Sequence, residues 1–182
     1  LGIEFRQNNQ LRYIGIAQNM DGFEALNTFL SEHTQYQKDL PIDAPTLPHC
    51  FIIYPRLHKD IRQFKAHEFL GIRPEFVGRI YRSPVEKHLH KLVAWCPVSF
   101  LDKTGYEQHK VLRAIDLNTL ITKLKHSDCA KRSELFHDKI TIAHSYRQYP
   151  ELIRNSETIL NNCTAKLLHT LDHNKKSFTA SK

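Results

Sequence analysis

The chain of 182 residues contains few glycines and lacks the short motifs that identify several common enzyme classes. Six glycines leave little material for a phosphate-cradling loop, and neither GxGxxG nor GxxxxGK[ST] occurs. The HExxH and GxSxG patterns are missing as well. These absences argue against dinucleotide-binding and P-loop enzymes, zinc proteases and α/β-hydrolases.

The sequence also lacks paired cysteines and long apolar runs. Its four cysteines, Cys50, Cys96, Cys129 and Cys163, form no CxxC pair, which argues against a zinc knuckle. Such usage predicts free thiols in a reducing compartment, and therefore a cytoplasmic protein. No apolar run approaches the roughly 18 residues of a membrane span, and no leader-like segment opens the chain. We expect no membrane span, no metal and no cofactor.

Positively charged residues are in excess. The chain has 26 Lys and Arg against 19 Asp and Glu, a formal net charge of +7, which favours a polyanionic partner. The 41% of hydrophobic residues predicts a folded core, and the length suits a single domain over 1–182. The first residue is Leu, so a piece of a longer protein is an alternative. Within the domain we expect a proline-rich loop over 38–49 and a flexible tail over 173–182.

The pattern of apolar residues predicts an α+β fold, with a mixed, mostly antiparallel sheet packed by three to five helices. A hairpin is expected around Asn8 and Asn9, followed by a helix over 21–35 that Asp21 caps. A long C-terminal helix is expected over about 151–171. The remaining predicted strands are 50–55, 75–83, 90–100, 111–117 and 139–146, and the remaining predicted helices are 60–70 and 118–126.

The densest basic stretch that also carries aromatic residues follows the second predicted helix. Its candidate polyanion-binding residues are Arg73, Arg79, Tyr81, Arg82, Lys87 and Lys91. Strand alternation would place Arg79 and Tyr81 on one face and Arg82 on the other. Arginine binds phosphate through its planar fork and an aromatic ring accepts a base, so this pairing suits nucleic acid. A second basic cluster, over 123–132, could line the same surface.

Other candidate chemistry in the sequence is weaker. His88 and His90 share a strand face but lie too far from Cys96 to complete a metal site, about 20 Å along an extended strand. Trp95 is expected in the core, with base stacking as the alternative. Glu134, His137 and Asp138 form an acid-base cluster at a predicted surface, where solvation is the ordinary role.

The opening "LGIEF" resembles the closing strand of PilZ domains, the receptors of cyclic-di-GMP. That family's RxxxR and [DN]xSxxG patterns are missing, so the resemblance assigns no binding residue here.

The leading hypothesis is a non-enzymatic, basic module that binds a polyanion, with nucleic acid preferred over other ligands. One alternative is a regulatory or protein-interaction domain of a larger signalling or assembly protein, responsive to a nucleotide such as cyclic-di-GMP. The other is an enzyme with an acid-base site assembled from distant residues.

Overall fold

A computed structural model describes residues 1–166 and contains a five-stranded sheet in the order β1-β2-β3-β4-β5. Its strands are β1 (Gly2–Gln7), β2 (Gln10–Ala17), β3 (Cys50–Tyr54), β4 (Glu68–Ile72) and β5 (Leu92–Ala94). The α-helices of this part of the chain are α1 (Met20–Gln35), α2 (Lys103–Asp116), α3 (Lys139–Ser145) and α4 (Glu151–Asn161). Short 3-10 helices lie between these elements. The predicted α+β class and mixed sheet are therefore confirmed.

The sheet combines two antiparallel and two parallel strand pairs. The β1-β2 and β2-β3 pairs are antiparallel, whereas the β3-β4 and β4-β5 pairs are parallel. Parallel neighbours cannot be joined by a tight hairpin, so each needs a crossover connection. Here irregular chain and 3-10 helices form both crossovers.

The N-terminal hairpin and the helix after it were predicted correctly. Asn8 and Asn9 both have positive φ, 50° and 61°, as the two-residue turns of hairpins require. The start of α1 differs in one detail from the prediction. The cap is Asn19 rather than Asp21, and its side-chain oxygen accepts a hydrogen bond of 2.9 Å from the Gly22 N–H.

Both faces of the sheet are covered by apolar side chains. On one face, Ile52 and Leu92 belong to a large buried cluster that includes Leu26 of α1. On the other face, Ile53 and Val93 pack with Ile159 of α4. This arrangement explains why "CFIIY" is apolar at consecutive positions, because a strand covered on both faces has no solvent side.

Several other predicted elements were wrong. The predicted strand over 75–83 overlaps the 3-10 helix Pro74–Arg79, and the strands predicted over 111–117 and 139–146 fall, but for their last residues, in α2 and α3. Residues 60–70, predicted as a helix, lead into β4. Residues 118–126, also predicted as a helix, contain a 3-10 turn at Ile121–Lys123. Only Leu92–Ala94 of the strand predicted over 90–100 is extended in the sheet. These errors share a cause: short runs of β-branched and apolar residues do not distinguish a strand from a helix that ends or begins nearby.

The C-terminal helix is shorter than predicted, because α4 ends at Asn161 and residues 163–166 are not helical. The rest of the predicted helix and the predicted tail over 173–182 lie outside the described residues. Residues 36–49, which include the predicted proline-rich loop, contain no helix or strand. Within residues 1–166, none of the helices has the length and apolar character needed to cross a bilayer.

Candidate polyanion-binding surface

Two cations from separate segments of the chain approach the same aromatic ring. The guanidinium carbon of Arg79 lies 4.4 Å from the centre of the Phe76 ring, and the Lys131 ammonium lies 5.8 Å from it. Arg79 follows Phe76 by three residues in a 3-10 helix, where side chains at that spacing eclipse one another. The ring thus brings the two basic clusters of the sequence together.

A second ring gathers cations in the same way. The Tyr106 ring lies 5.6 Å from the Lys110 ammonium and 6.0 Å from the Arg132 guanidinium. Tyr106 and Lys110 are four residues apart in α2 and therefore share one side of the helix. Arg132 is the chain neighbour of Lys131, so the two ring-centred groups adjoin.

A largely buried ion pair fixes the segment that carries Lys131 and Arg132. The Arg73 guanidinium lies 2.9 Å from the Glu134 carboxylate and stacks 4.5 Å from the centre of the Trp95 ring. The Glu134 carbonyl also accepts hydrogen bonds from the N–H groups of Ser99 and Phe100. Arg73 therefore links two segments of the chain, and its side chain is only 12% exposed.

Tyr81 and Arg82 occupy a turn rather than the predicted strand. Arg82 has a φ of 56°, and its guanidinium carbon lies 5.1 Å from the centre of the Tyr81 ring. The Glu86 carboxylate holds this turn, because it accepts a bond of 2.8 Å from the Arg82 N–H and one of 3.0 Å from the Tyr149 hydroxyl. Tyr81 remains 55% exposed.

The two remaining candidates have different surroundings. Lys87 is exposed in the 3-10 helix Pro84–Lys91. Lys91 instead donates a hydrogen bond of 2.6 Å to the Lys65 carbonyl, and burial lowers the pKa of its ammonium. Lys91 is thus partly occupied by the protein itself.

We call Arg79, Arg82, Lys131 and Arg132, with the rings of Phe76, Tyr81 and Tyr106, the basic surface. In residues 1–166, none of these four cations lies within 4.0 Å of a carboxylate. Contacts with rings fix the cations without neutralising them, as an ion pair would. The basic surface therefore presents charge that a phosphate could bind.

A second charged cluster in residues 1–166 is centred on a buried carboxylate. Glu68 is fully buried, and its carboxylate accepts hydrogen bonds from the Lys65 N–H at 2.8 Å and the Tyr54 hydroxyl at 3.1 Å. The Lys59 ammonium lies 3.1 Å from Glu68 and 2.9 Å from Asp43. Burial would raise the pKa of Glu68, but these hydrogen bonds outweigh it and keep the pKa below its usual value.

This charged cluster attaches the proline-rich loop to the sheet. Besides the Lys59 contact, Asp43 lies 2.7 Å from the His58 ring, and the Ala44 N–H donates to the Tyr54 hydroxyl at 3.0 Å. The Lys65 ammonium donates to Thr46 at 2.7 Å. The arrangement explains the ordered path of the loop, and every donor to Glu68 comes from the protein.

The residues proposed for acid-base or metal chemistry do not converge. Glu134 pairs with Arg73, whereas Asp138 caps α3 by accepting from the Thr141 N–H. The His88 and His90 rings lie 6.0 Å apart on a 3-10 helix. Across the described part of the chain, no group of three or more His, Cys, Asp or Glu side chains is placed to hold a metal ion. The surface depressions beside α1 and α2 contain no histidine.

Phe76, Tyr106 and Glu86 were missed by sequence reasoning. Two of the signals are spacings: Phe-x-x-Arg beginning two residues after Pro74 suits a 3-10 turn, and Tyr106 precedes Lys110 by one helical turn. No spacing could have paired Phe76 with Lys131, because that contact depends on the tertiary fold.

Comparison with known proteins adds no relative to this description. No protein-family model matches the chain, and no curated protein is similar to it in sequence.

Proposed function

We propose that the chain is a non-enzymatic module that binds a polyanion, with nucleic acid as the preferred ligand, through the basic surface. The observation that carries the proposal is the convergence of Arg79 and Lys131 on the Phe76 ring. Within residues 1–166 these two cations have no acidic partner, and their approach to one ring from distant segments serves the core in no evident way. The phosphates of a nucleic-acid backbone would bind cations arranged in this way.

The proposal distinguishes binding cations from supporting ones. Arg79, Arg82, Lys131 and Arg132 would contact phosphates, and Lys87 would add charge at the margin. Arg73 supports the site through its Glu134 ion pair, and Lys91 contributes less because its ammonium is bonded to the Lys65 carbonyl. The net charge of +7 would steer any polyanion towards the molecule. The four cysteines are free, which agrees with the cytoplasmic location that we propose.

The test is a salt titration of binding to labelled DNA and RNA by fluorescence anisotropy. Arg79→Ala with Arg82→Ala should weaken binding and flatten the dependence of log K on log salt by about 0.7 to 0.9 for each cation that contacts a phosphate. Arg6→Ala with Lys38→Ala is the matched control. It removes the same charge near β1, at the sheet edge opposite β5.

Binding that does not depend on salt, or equal losses in the two double variants, would refute the proposal. Heparin and cyclic-di-GMP should be included as probes. Tight binding of cyclic-di-GMP without affinity for DNA or RNA would instead favour a nucleotide-responsive regulatory domain.

The exposed apolar side of α2 favours protein interaction as a second candidate function. Leu112 and Ile115 of α2 are 64% and 70% exposed, and Leu120 and Ile121 continue the apolar surface beyond the helix. Exposed apolar patches of this kind are typical of protein contacts. This candidate predicts concentration-dependent self-association in sedimentation velocity, which Leu112→Glu with Ile115→Glu should abolish. A protein that stays monomeric would contradict self-association through α2.

A further inference from the structure

We infer that the nucleic acid bound by the basic surface is single-stranded, and that one of its bases stacks on Tyr81. The inference rests on the proposed function and names its substrate class. It depends on which rings are accessible, how Tyr81 is held, and which elements carry the cations.

Tyr81 is the accessible ring of the basic surface. It is 55% exposed, whereas Phe76 and Tyr106 are partly buried and each lies against two cations. The Arg82 guanidinium contacts the Tyr81 ring, which still leaves more than half of the side chain open. A base could therefore lie against Tyr81, while the other two rings serve to place charge.

The turn that carries Tyr81 is held in advance of any ligand. Arg82 adopts a left-handed conformation, which is costly for a residue other than glycine and persists only where neighbouring contacts hold it. The Glu86 carboxylate provides that contact through the Arg82 N–H, and the Tyr149 hydroxyl fixes the carboxylate in turn. A preset turn spares the ligand the entropic cost of ordering the ring.

Cations flank the ring along the chain. Arg79 precedes Tyr81 by two residues, and Arg82 follows it directly with its guanidinium carbon 5.1 Å from the centre of the ring. A stacked base carries a phosphate on each side along its strand. The arginine, tyrosine and arginine therefore match the order of phosphate, base and phosphate in a single strand.

The elements that carry the cations do not suit a duplex. Arg79 lies in a 3-10 helix, Arg82 in a turn, and Lys131 and Arg132 in irregular chain. The major groove of DNA admits an α-helix or a two-stranded ribbon, and these four cations lie on neither. Bases in a duplex are already stacked on one another, so they offer nothing to an exposed tyrosine.

The experiment compares a labelled strand, longer than the roughly 4 to 16 nucleotides that one such site covers, with the same strand annealed to its complement. Tyr81→Leu should weaken binding of the single strand by about 5- to 150-fold, the range found for losing one base stack. It should leave duplex binding and the salt slope unchanged. Tyr81→Phe retains the ring and should bind within about twofold of the unmodified protein.

Tyr36→Leu is the matched control, because Tyr36 is 62% exposed and has the Lys38 ammonium 5.2 Å from its ring, at the end of α1. Equal affinity for single strand and duplex, or no effect of Tyr81→Leu on the single strand, would overturn the inference. The proposed function would survive either result if Arg79→Ala with Arg82→Ala still weakened binding. Failure of both nucleic acids to bind would overturn the proposed function and the inference together.

Discussion

Arg73 and Glu134 form an ion pair of 2.9 Å that joins the end of β4 to the segment carrying Lys131 and Arg132. The two side chains are 12% and 13% exposed, and Ser99 adds a hydrogen bond of 2.7 Å to the same carboxylate. Arg73 is thus a supporting residue, although its charge made it a candidate for ligand contact. The pair anchors the segment that brings Lys131 beside Phe76.

Glu134→Ala should destabilise the fold and weaken polyanion binding. It leaves the Arg73 guanidinium largely buried with only Glu75, at 3.8 Å, as an acidic neighbour within reach. We expect a loss of about 1–3 kcal/mol in the free energy of unfolding, measured by urea denaturation. Glu4→Ala is the control, because it breaks an exposed pair with Arg6 and should cost at most about 1 kcal/mol. Equal losses would show that the Arg73 pair has no special role.

Two buried tyrosines should respond differently to removal of the hydroxyl. The Tyr146 hydroxyl donates to the Ile72 carbonyl at 2.6 Å and accepts from the Trp95 N–H at 3.2 Å. The Tyr13 hydroxyl is buried and has no hydrogen-bond partner among the described residues. Tyr146→Phe should therefore lower the free energy of unfolding by about 1 kcal/mol, and Tyr13→Phe should be neutral or stabilising. Thermal unfolding of both variants measures this, and the reverse order would contradict the hydrogen-bond assignments.

Two glycines provide a test of packing at α1. A Cβ on Gly22 would lie 2.1 Å from the His49 carbonyl oxygen, whereas a Cβ on Gly78 would meet nothing within 4 Å. Gly22→Ala should force α1 away from the start of β3 and destabilise by about 1–3 kcal/mol or more. Gly78→Ala should be neutral or stabilise by up to about 1 kcal/mol, with binding unchanged. Chemical denaturation compares the two variants, and similar midpoints would contradict the close contact at His49.

Glu68 should make the fold sensitive to acid. Since its pKa lies below the usual value, ionised Glu68 favours the folded state above the carboxyl pKa of the unfolded chain, about 4.3. This contribution is lost as the pH falls through the lower folded-state pKa. Glu68→Gln should therefore destabilise the protein near pH 7 and reduce the fall in stability below about pH 4. Glu157→Gln, on the exposed side of α4, is the control and should leave the acid profile unchanged.

The elements that could be predicted were those with a strong local signal. Asn8 and Asn9 both tolerate positive φ, and the run Cys50–Tyr54 is apolar on both faces. Elements that alternated over only a few residues were predicted wrongly. The caps Asp102 and Asp138, which accept from Gly105 and Thr141, were the signals for α2 and α3 that the β-branched residues obscured.

For the proposed site, the sequence drew attention to a basic and aromatic segment but did not reveal the local structure of its residues. Arg79, Tyr81 and Arg82 are exposed, but Arg79 lies in a 3-10 helix and the other two in a turn, so the predicted sharing of strand faces was wrong. The sequence could not distinguish the supporting role of Arg73 from the role of the neighbouring cations, because that role depends on an ion pair with Glu134 in a distant segment. Charge composition predicts that cations are present, whereas their pairing depends on tertiary contacts.

The Glu86 carboxylate connects the exposed turn at Arg82 to the buried residue Tyr149. One oxygen holds the Arg82 turn and the other holds Tyr149, beside the start of α4. A ligand that binds the preset Tyr81 turn therefore depends on the contacts that hold Glu86, the one with Tyr149 included. By thermodynamic reciprocity, a ligand that binds the preset turn would in turn stabilise the Glu86–Tyr149 contact, and loosening that contact would weaken ligand binding.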